Sequence, residues 1–330
     1  MAVVHILNQY VWPDGAPTGV YAEQLAVALH SAGNSVQLVG GSGRYRASAR
    51  PEPPVPRVIV PHWKGQRGNH ISTLREYFSV RESFGTYIKN EVRRGDIVII
   101  SSAPPTTLAL WSVIRETGAT SIYWLQDYYP ELIRGVWDYP SPVRRAWDAW
   151  WHRLLAKWDH VVKVAGNIRG DGANTQVIRN WPTLKFPAIL MKPESKTALY
   201  TGNLGYGHHL PSFIEKCRQL LDDGIDLGIH ADGPGAAQIS SSLPCRKPFA
   251  SEAELSQALQ RAETHLVAGH PDIQHAVFPS KIWNSLGLGR SIVSTGFAGA
   301  MLDELHFIQT HMENPRQQWC DIVASIAKKS

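Results

Sequence analysis

An α/β fold in two successive Rossmann-like halves is the class that this sequence predicts, and three observations carry the prediction. Short β-rich apolar runs alternate with helix-length segments through the first half. The same alternation starts afresh at Ala198-Leu199-Tyr200-Thr201, beyond a crossing at Arg179-Asn180-Trp181-Pro182. The chain of 330 residues, 43% hydrophobic, is long enough for two domains that each bury a core. The expected division is an N-terminal domain over 1–180, a second domain over 181–312, and a C-terminal helix over 313–330 that packs back on the first.

In chain order, Val3-Val4-His5-Ile6-Leu7 suits the first buried strand of a parallel sheet. A Pro/Gly loop, Trp12 to Gly19, leads into a helix carrying Val20, Leu25, Val27 and Leu29, and Ser35 to Val39 completes a βαβ unit. Residues 41–70 are rich in Gly, Pro and positive charge (Arg44, Arg46, Arg50, Arg57, Lys64, Arg67) and are expected to be a basic loop with one short strand, Arg57 to Val60. A helix from Ser72 to Arg93 and a strand from Asp96 to Ser101 follow, and Ser102 to Thr107 opens the next helix. The strand Ser121 to Leu125 ends in Gln126-Asp127-Tyr128-Tyr129-Pro130-Glu131, polar and acidic groups at the strand end where open α/β sheets hold ligands.

Between Pro140 and Trp158 lies a helix with four tryptophans. Trp147, Trp151 and Trp158 recur with Leu154 and Leu155, and Arg144, Arg145, Arg153 and Lys157 add positive charge. The stripe reads either as core packing or as an interfacial helix resting on anionic lipid. His160 to Val164 and Gln176 to Ile178 close the half.

The second half has the strand Ala198 to Thr201, a glycine loop Gly202-Asn203-Leu204-Gly205, and a helix from Pro211 to Leu221. The loop lacks the Gly-x-Gly-x-x-Gly order of a dinucleotide site. Ile225 to His230 is the next strand and runs into Asp232-Gly233-Pro234-Gly235. Ser251 and Glu254 form a capping box for the helix that ends at Arg261. His265 to Ala268 is the strand before the loop Gly269 to Ala276. Pro279-Ser280-Lys281 then begins a short helix to Leu288, with Ser280 as its expected cap and Gly289 as its stop, and Ile292 to Ser294 is a strand. A capped helix end together with the Lys281 ammonium suits a diphosphate.

The formal net charge of +5 is uneven: residues 1–180 hold 20 Lys and Arg against 14 Asp and Glu, and the remainder is slightly acidic. Such a bias fits an anionic substrate, an acidic membrane surface or simple solubility. Zinc-finger spacing, RNA-binding aromatic signatures and basic heptads are missing from the sequence, which makes nucleic acid a poor partner. The three cysteines, Cys217, Cys245 and Cys320, make neither a metal cluster nor a disulfide framework, so a cytoplasmic location is expected. Val3 to Leu7 is too short for a signal peptide and no run approaches a membrane span, so the expected protein is soluble or peripheral on the inner face of the plasma membrane.

Taken together, Tyr200-Thr201-Gly202-Asn203-Leu204-Gly205, His230-Ala231-Asp232-Gly233-Pro234-Gly235, the Pro279-Ser280-Lys281 turn and Gly289-Arg290-Ser291-Ile292-Val293 resemble the donor half of a family 4-type glycosyltransferase, closest to the bacterial branch that builds cell-surface polysaccharides. The resemblance covers nearly the whole chain. It implies a GT-B architecture, two Rossmann-like domains facing across a cleft, and transfer of a sugar with retention of configuration from a nucleotide-diphosphate donor to a saccharide or lipid-linked acceptor. It implies donor contacts from Gly202, Asn203, Leu204, Gly205, Asp232, Gly233, Phe249, Ala250, Gln274, His275, Pro279, Ser280, Lys281 and Asn284, with the nucleobase near Phe249 and Ala250. Asp14, Gly15, Thr18 and Gly19 become acceptor contacts, and the basic segment leans over the acceptor side. Asp127 becomes the candidate for acceptor activation, with Glu131 second and Lys281 the main cation at the diphosphate. No cofactor and no metal are expected, since the chain has no Asp-x-Asp.

Two departures from the family pattern stand out. Where many relatives carry paired glutamates, this chain has Ala276 and Asn284, which leaves sugar contacts to Gln274 or His275. Where many place an arginine and a lysine after the first strand of the donor half, it has Asn203 and His208. These departures keep open a catalytically silent donor-binding or scaffolding subunit, and, on the same fold, a nucleotide-sugar epimerase.

Overall fold

The computed structural model describes residues 2–41, 50–65, 69–133, 140–205, 207–311 and 313–328. It divides into two compact units: Met1–Tyr129 with Pro140–Arg179 and Glu313–Ser330, and Pro130–Tyr139 with Asn180–Met312.

The apolar runs of the first half become parallel strands because they are buried on both faces. They are β1 (Val3–Asn8), β2 (Ser35–Gly41), β3 (Arg57–Val60), β4 (Ile97–Ser101), β5 (Thr120–Leu125), β6 (His160–Lys163) and β7 (Thr175–Val177). Their order is β3-β2-β1-β4-β5-β6-β7, with Leu7 opposite Val39 on one side and Ile100 on the other. Helix α1 (Pro17–Ser31) connects β1 to β2, and α2 (His70–Glu91) connects β3 to β4. A 3-10 turn (Pro105–Leu110) runs into α3 (Trp111–Thr117) between β4 and β5, and α4 (Tyr129–Leu132) and α5 (Ser141–Leu155) lie between β5 and β6.

The second unit has β8 (Glu194–Asn203), β9 (Asp226–Asp232), β10 (Cys245–Arg246), β11 (Ala262–Ala268) and β12 (Ser291–Thr295), ordered β10-β9-β8-β11-β12 and again parallel. Its helices are α6 (Leu210–Asp222), α7 (Pro234–Ile239), α8 (Glu252–Arg261), α9 (Lys281–Gly287) and α10 (Gly299–Thr310). Tyr200, Phe213, Cys217 and Ile229 lie at its centre.

The chain returns to the first unit through α11 (Pro315–Ala327). Trp319 is fully buried and meets Trp124 edge-on at 5.2 Å between ring centroids. Arg179 bonds Glu313 at 2.7 Å, and Arg316 donates to Gln24 at 3.1 Å.

Local rules hold at some ends and fail at one. Ser251 caps α8 by accepting from Glu254 N at 3.2 Å, while the Glu254 carboxylate reaches back to Ala250 N at 3.1 Å. Helix α9 stops at Gly289 in a Schellman motif, with Arg290 N bonded to Ser285 O and Gly289 N to Leu286 O, both at 3.0 Å. The expected Ser280 cap is corrected: Ser280 is already helical (φ −62, ψ −21) and its side chain makes no cap bond. A cap needs an extended residue whose hydroxyl can reach forward. Ser251→Ala should therefore destabilise the second unit by about 1 kcal/mol and Ser280→Ala by less than about 0.5 kcal/mol, read from urea unfolding followed by fluorescence.

Candidate functional site

The carboxyl end of β8 is where the second unit gathers its chemistry. Lys281 lies across it, donating to the Tyr200 hydroxyl at 2.8 Å and to Asn203 O at 3.3 Å, with its ammonium 4.1 Å from the centroid of the Tyr200 ring. Gly202 makes this possible. Its φ is +108°, and a Cβ there would sit 2.9 Å from Lys281 Cε, so a side chain would push the lysine away. Burial lowers the Lys281 pKa to about 7, because no carboxylate among the described residues pairs with it. His208 is pushed down to about 4, by burial first and then by the charge of Lys281, so the ring stays neutral and its Nδ1 accepts from Gly205 N at 3.1 Å.

Around this cation stand the other predicted donor residues. Asn203 and Asp232 are exposed at the ends of β8 and β9, and Asp232 accepts from Gly233 N at 2.7 Å. Leu204 is buried, and its backbone N–H and carbonyl tie the loop to Asp232 O and Gly235 N, both at 2.8 Å. The Phe249 ring stacks on His230 at 4.0 Å and 15°, a pair sequence reasoning missed because 19 positions separate the two rings. His230 is held in turn by Lys247 O at 3.0 Å.

Several of the residues singled out on this unit have partners within the protein. The Asn284 side chain accepts from Thr183 N at 2.9 Å and Leu184 N at 3.2 Å, so it fastens the crossing segment and its carbonyl is not turned to a ribose. Ala276 is fully buried. Gln274 Oε1 accepts from Ala300 N at 2.9 Å, which commits it to the start of α10. The Gly205 and Ala250 amides are bonded to His208 and Glu254. Two amides of the Pro279 turn are engaged within it: Ile282 N reaches Pro279 O at 3.3 Å and Trp283 N reaches Ser280 O at 3.4 Å. The Lys281 side chain supplies the positive charge at this turn, and the Ser280 hydroxyl caps no amide there. His275 N donates to the Glu131 carboxylate at 2.9 Å, which places Glu131 in the second unit as a brace for this loop.

In the first unit, Asp127 sits half-buried just past β5, with its backbone N–H on Ser102 Oγ at 3.1 Å. Burial raises its carboxyl to about 6. Burial raises Tyr77, Tyr123 and Tyr129, and the Asp127 charge adds a smaller push to each, which outlines a tyrosine-rich surround that the strand pattern did not announce. Of the expected acceptor loop, Gly15 and Thr18 are half-buried and Asp14 is buried. Gly19 is a packing position, since a Cβ there would meet Tyr10 O at 2.6 Å. The basic segment is corrected in part: Arg50 is bonded to Glu23 at 2.7 Å and Asp14 O at 2.9 Å, and Arg57 to Glu52 at 2.7 Å, so neither is a free cation over an acceptor. Arg44, Arg46 and Arg67 lie outside the described residues. Among the described residues, no group of three or more His, Cys, Asp or Glu could hold a metal ion, and no helix is long and apolar enough to cross a membrane.

Two parallel α/β units in one chain, each with its polar groups past the strand ends, define the GT-B fold. Solved structures align with the whole chain. A lipopolysaccharide outer core galactosyltransferase, WaaB, has a TM-score of 0.55 at 11% identity, over 100% of this chain and 95% of that one. The α,α-trehalose 6-phosphate synthase of Burkholderia multivorans gives 0.54 at 11%, over 99% and 95%, and the Phytolacca americana UGT2 complex with UDP-2-fluoro-glucose gives 0.52 at 12%, over 99% and 91%. In sequence, the chain is 31% identical over 117 residues to the putative colanic acid biosynthesis glycosyl transferase WcaI of Escherichia coli K12, a match that covers 33% of this chain and 29% of that protein. No protein-family model matches.

The Asp127 site yields a prediction with a sign. The folded carboxyl, raised above its unfolded value, holds more protons than the unfolded one between about pH 4 and 6, so this group lowers stability as pH rises through that window. Asp127→Asn should raise the melting temperature above pH 6, and the gain should vanish near pH 4.

Proposed function

We propose that this protein is a glycosyltransferase that moves a sugar from a nucleotide-diphosphate donor to a saccharide or lipid-linked acceptor in the synthesis of a bacterial polysaccharide or glycoconjugate. The observation that carries the proposal is the half-buried Lys281 at the end of β8, a cation without a carboxylate among the described residues. The GT-B fold and the local similarity to WcaI, a putative glycosyl transferase, support the same reading.

In this reading the diphosphate lies against Lys281, whose ammonium offsets the charge that grows on the leaving group as the glycosidic bond breaks. The donor's anionic charge itself favours the protonated lysine. The exposed Asn203 and Asp232 flank the donor, and the His230–Phe249 stack is a flat surface for the nucleobase. Asp127 orients the acceptor hydroxyl and receives its proton, for which a raised pKa makes a better base than a solvated carboxylate. Retention of configuration, hexosyl or N-acetylhexosaminyl transfer, and independence from a metal belong to the proposal. So does a cytoplasmic site of action.

A second reading, a donor-binding subunit without activity, is favoured by the burial of Ala276 and the commitment of Asn284 to the crossing segment, since both stand where relatives have donor-contacting glutamates. One experiment separates the two. Thermal shift at pH 7 against UDP, GDP, dTDP and CMP with their common sugars, without metal, should show stabilisation by one nucleotide family, and Lys281→Ala should abolish it. The same donor should be hydrolysed slowly, at a rate that falls by roughly a hundredfold or more in the variant. Stabilisation without hydrolysis or transfer would establish the silent subunit, and no stabilisation would remove the donor site.

A further inference from the structure

The helical layer of the first unit has two apolar stripes turned outward. Helix α2 is apolar on two opposite sides. Val80, Phe84, Tyr87 and Ile88 are buried toward the sheet, whereas Ile71, Leu74 and Phe78 are 82%, 52% and 41% exposed. Their i, i+3, i+7 spacing makes one stripe on the side away from the core. Trp63 lies beside the stripe, exposed, with the Arg75 guanidinium 4.5 Å from its ring centroid, and Arg81 lies 5.0 Å from the Phe78 ring. Helix α5 repeats the arrangement: Trp151 and Leu155 turn inward, while Val143 and Trp150, 55% and 50% exposed, line up with half-buried Trp147 and Leu154.

Topology puts both stripes on one layer. The connections β3 to β4, β4 to β5 and β5 to β6 all advance in the same direction along the sheet, so right-handed crossovers place α2, α3 and α5 on one face. The connection β1 to β2 runs the other way and puts α1, with α11 packed against it, on the opposite face. Helices α2 and α5 both contact the 3-10 turn Pro105–Leu110. Since each helix starts at the carboxyl ends of the strands, residues 71–78 and 143–150 lie toward the same end of the sheet as Asp127.

The charges around the stripes decide what fits them. Lys64, His70, Arg75 and Arg81 flank the first, and Arg144, Arg145 and Arg153 the second. Of the acids on these helices near the stripes, Glu76 accepts from Gly65 N at 3.0 Å and Gln9 at 3.2 Å, and Asp148 accepts from the Tyr128 hydroxyl, which leaves Glu82 beside Phe78. Apolar and tryptophan side chains bordered by arginines match the boundary between acyl chains and anionic headgroups. We infer that this layer is a bilayer-docking face with two arms, the Ile71–Leu74–Phe78 stripe of α2 and the Val143–Trp147–Trp150 stripe of α5, and that its partner is an anionic lipid surface. The face stands independently of the transferase reading, although it would hold Asp127 near a lipid-linked acceptor.

The test is co-sedimentation of the full chain with phosphatidylcholine vesicles and with vesicles that also contain phosphatidylglycerol. The protein should pellet with the anionic vesicles, weakly with the neutral ones, and less as salt rises. Ile71→Ser with Leu74→Ser, and separately Trp147→Ser with Trp150→Ser, should each cut the bound fraction about fivefold or more, whereas Ile189→Ser, on an exposed residue of the second unit, should leave it unchanged. On the unaltered protein, brominated phosphatidylglycerol should quench tryptophan fluorescence, which tests insertion without any variant. Equal binding to both vesicle types, an α2 variant that binds like the parent, or absence of quenching would overturn the inference. So would a dimer in solution that the same substitutions dissolve, since the face would then belong to a second copy.

Discussion

A lysine held against a tyrosine ring at the end of one strand is the constraint on which the second unit is built. Taking an ammonium out of water without a carboxylate is unfavourable, which is why Lys281 is driven toward neutrality. It stays there because its surroundings are fixed on every side. Gly202 leaves room for its stem. His265, buried in β11, holds Ser285 of α9 at 2.7 Å and Leu259 O at 2.9 Å, and Asn284 fastens the opposite side of α9 to Thr183 and Leu184. Asn284, expected as a donor contact, is thus one of the anchors of this helix. What they anchor is one amine whose burial disfavours its charge and which a bound anion would hold protonated.

The first unit solves a related problem with the opposite sign. Asp127 lies just past the end of β5, desolvated and ringed by tyrosines, so its carboxylate is more basic than one in water. Both units therefore hold a titratable group in an electrostatically unfavourable state at the carboxyl end of a parallel strand, the position where this architecture binds ligands. Sites of this kind reduce stability locally in exchange for chemistry.

Much of the fold was legible because buried parallel strands are apolar on both faces. Val3–Asn8, Ile97–Ser101 and Thr120–Leu125 could be read almost to the residue. So could the Gly289 stop of α9, since a Schellman ending is a local motif. The site was less legible, for reasons of distance. Lys281 and Tyr200 are 81 positions apart, and the Asn284 partners are about a hundred positions away. Ser280 satisfied the sequence rule for a cap, but its helical backbone put the hydroxyl out of reach. Pro130–Tyr139 was expected in the first domain and groups with the second, where Glu131 accepts from His275 N, a contact between residues 144 positions apart.

The central claim is that Lys281 waits, largely neutral, for an anion. Calorimetric titration of UDP, GDP and dTDP at pH 8, in buffers of different ionisation enthalpy, tests it most directly, because at that pH a nucleoside diphosphate is already ionised and any proton taken up goes to the protein. The nucleotide that binds should bring close to one proton with it, and Lys281→Met should abolish that uptake. Binding without proton uptake, or uptake that survives the substitution, would contradict the account.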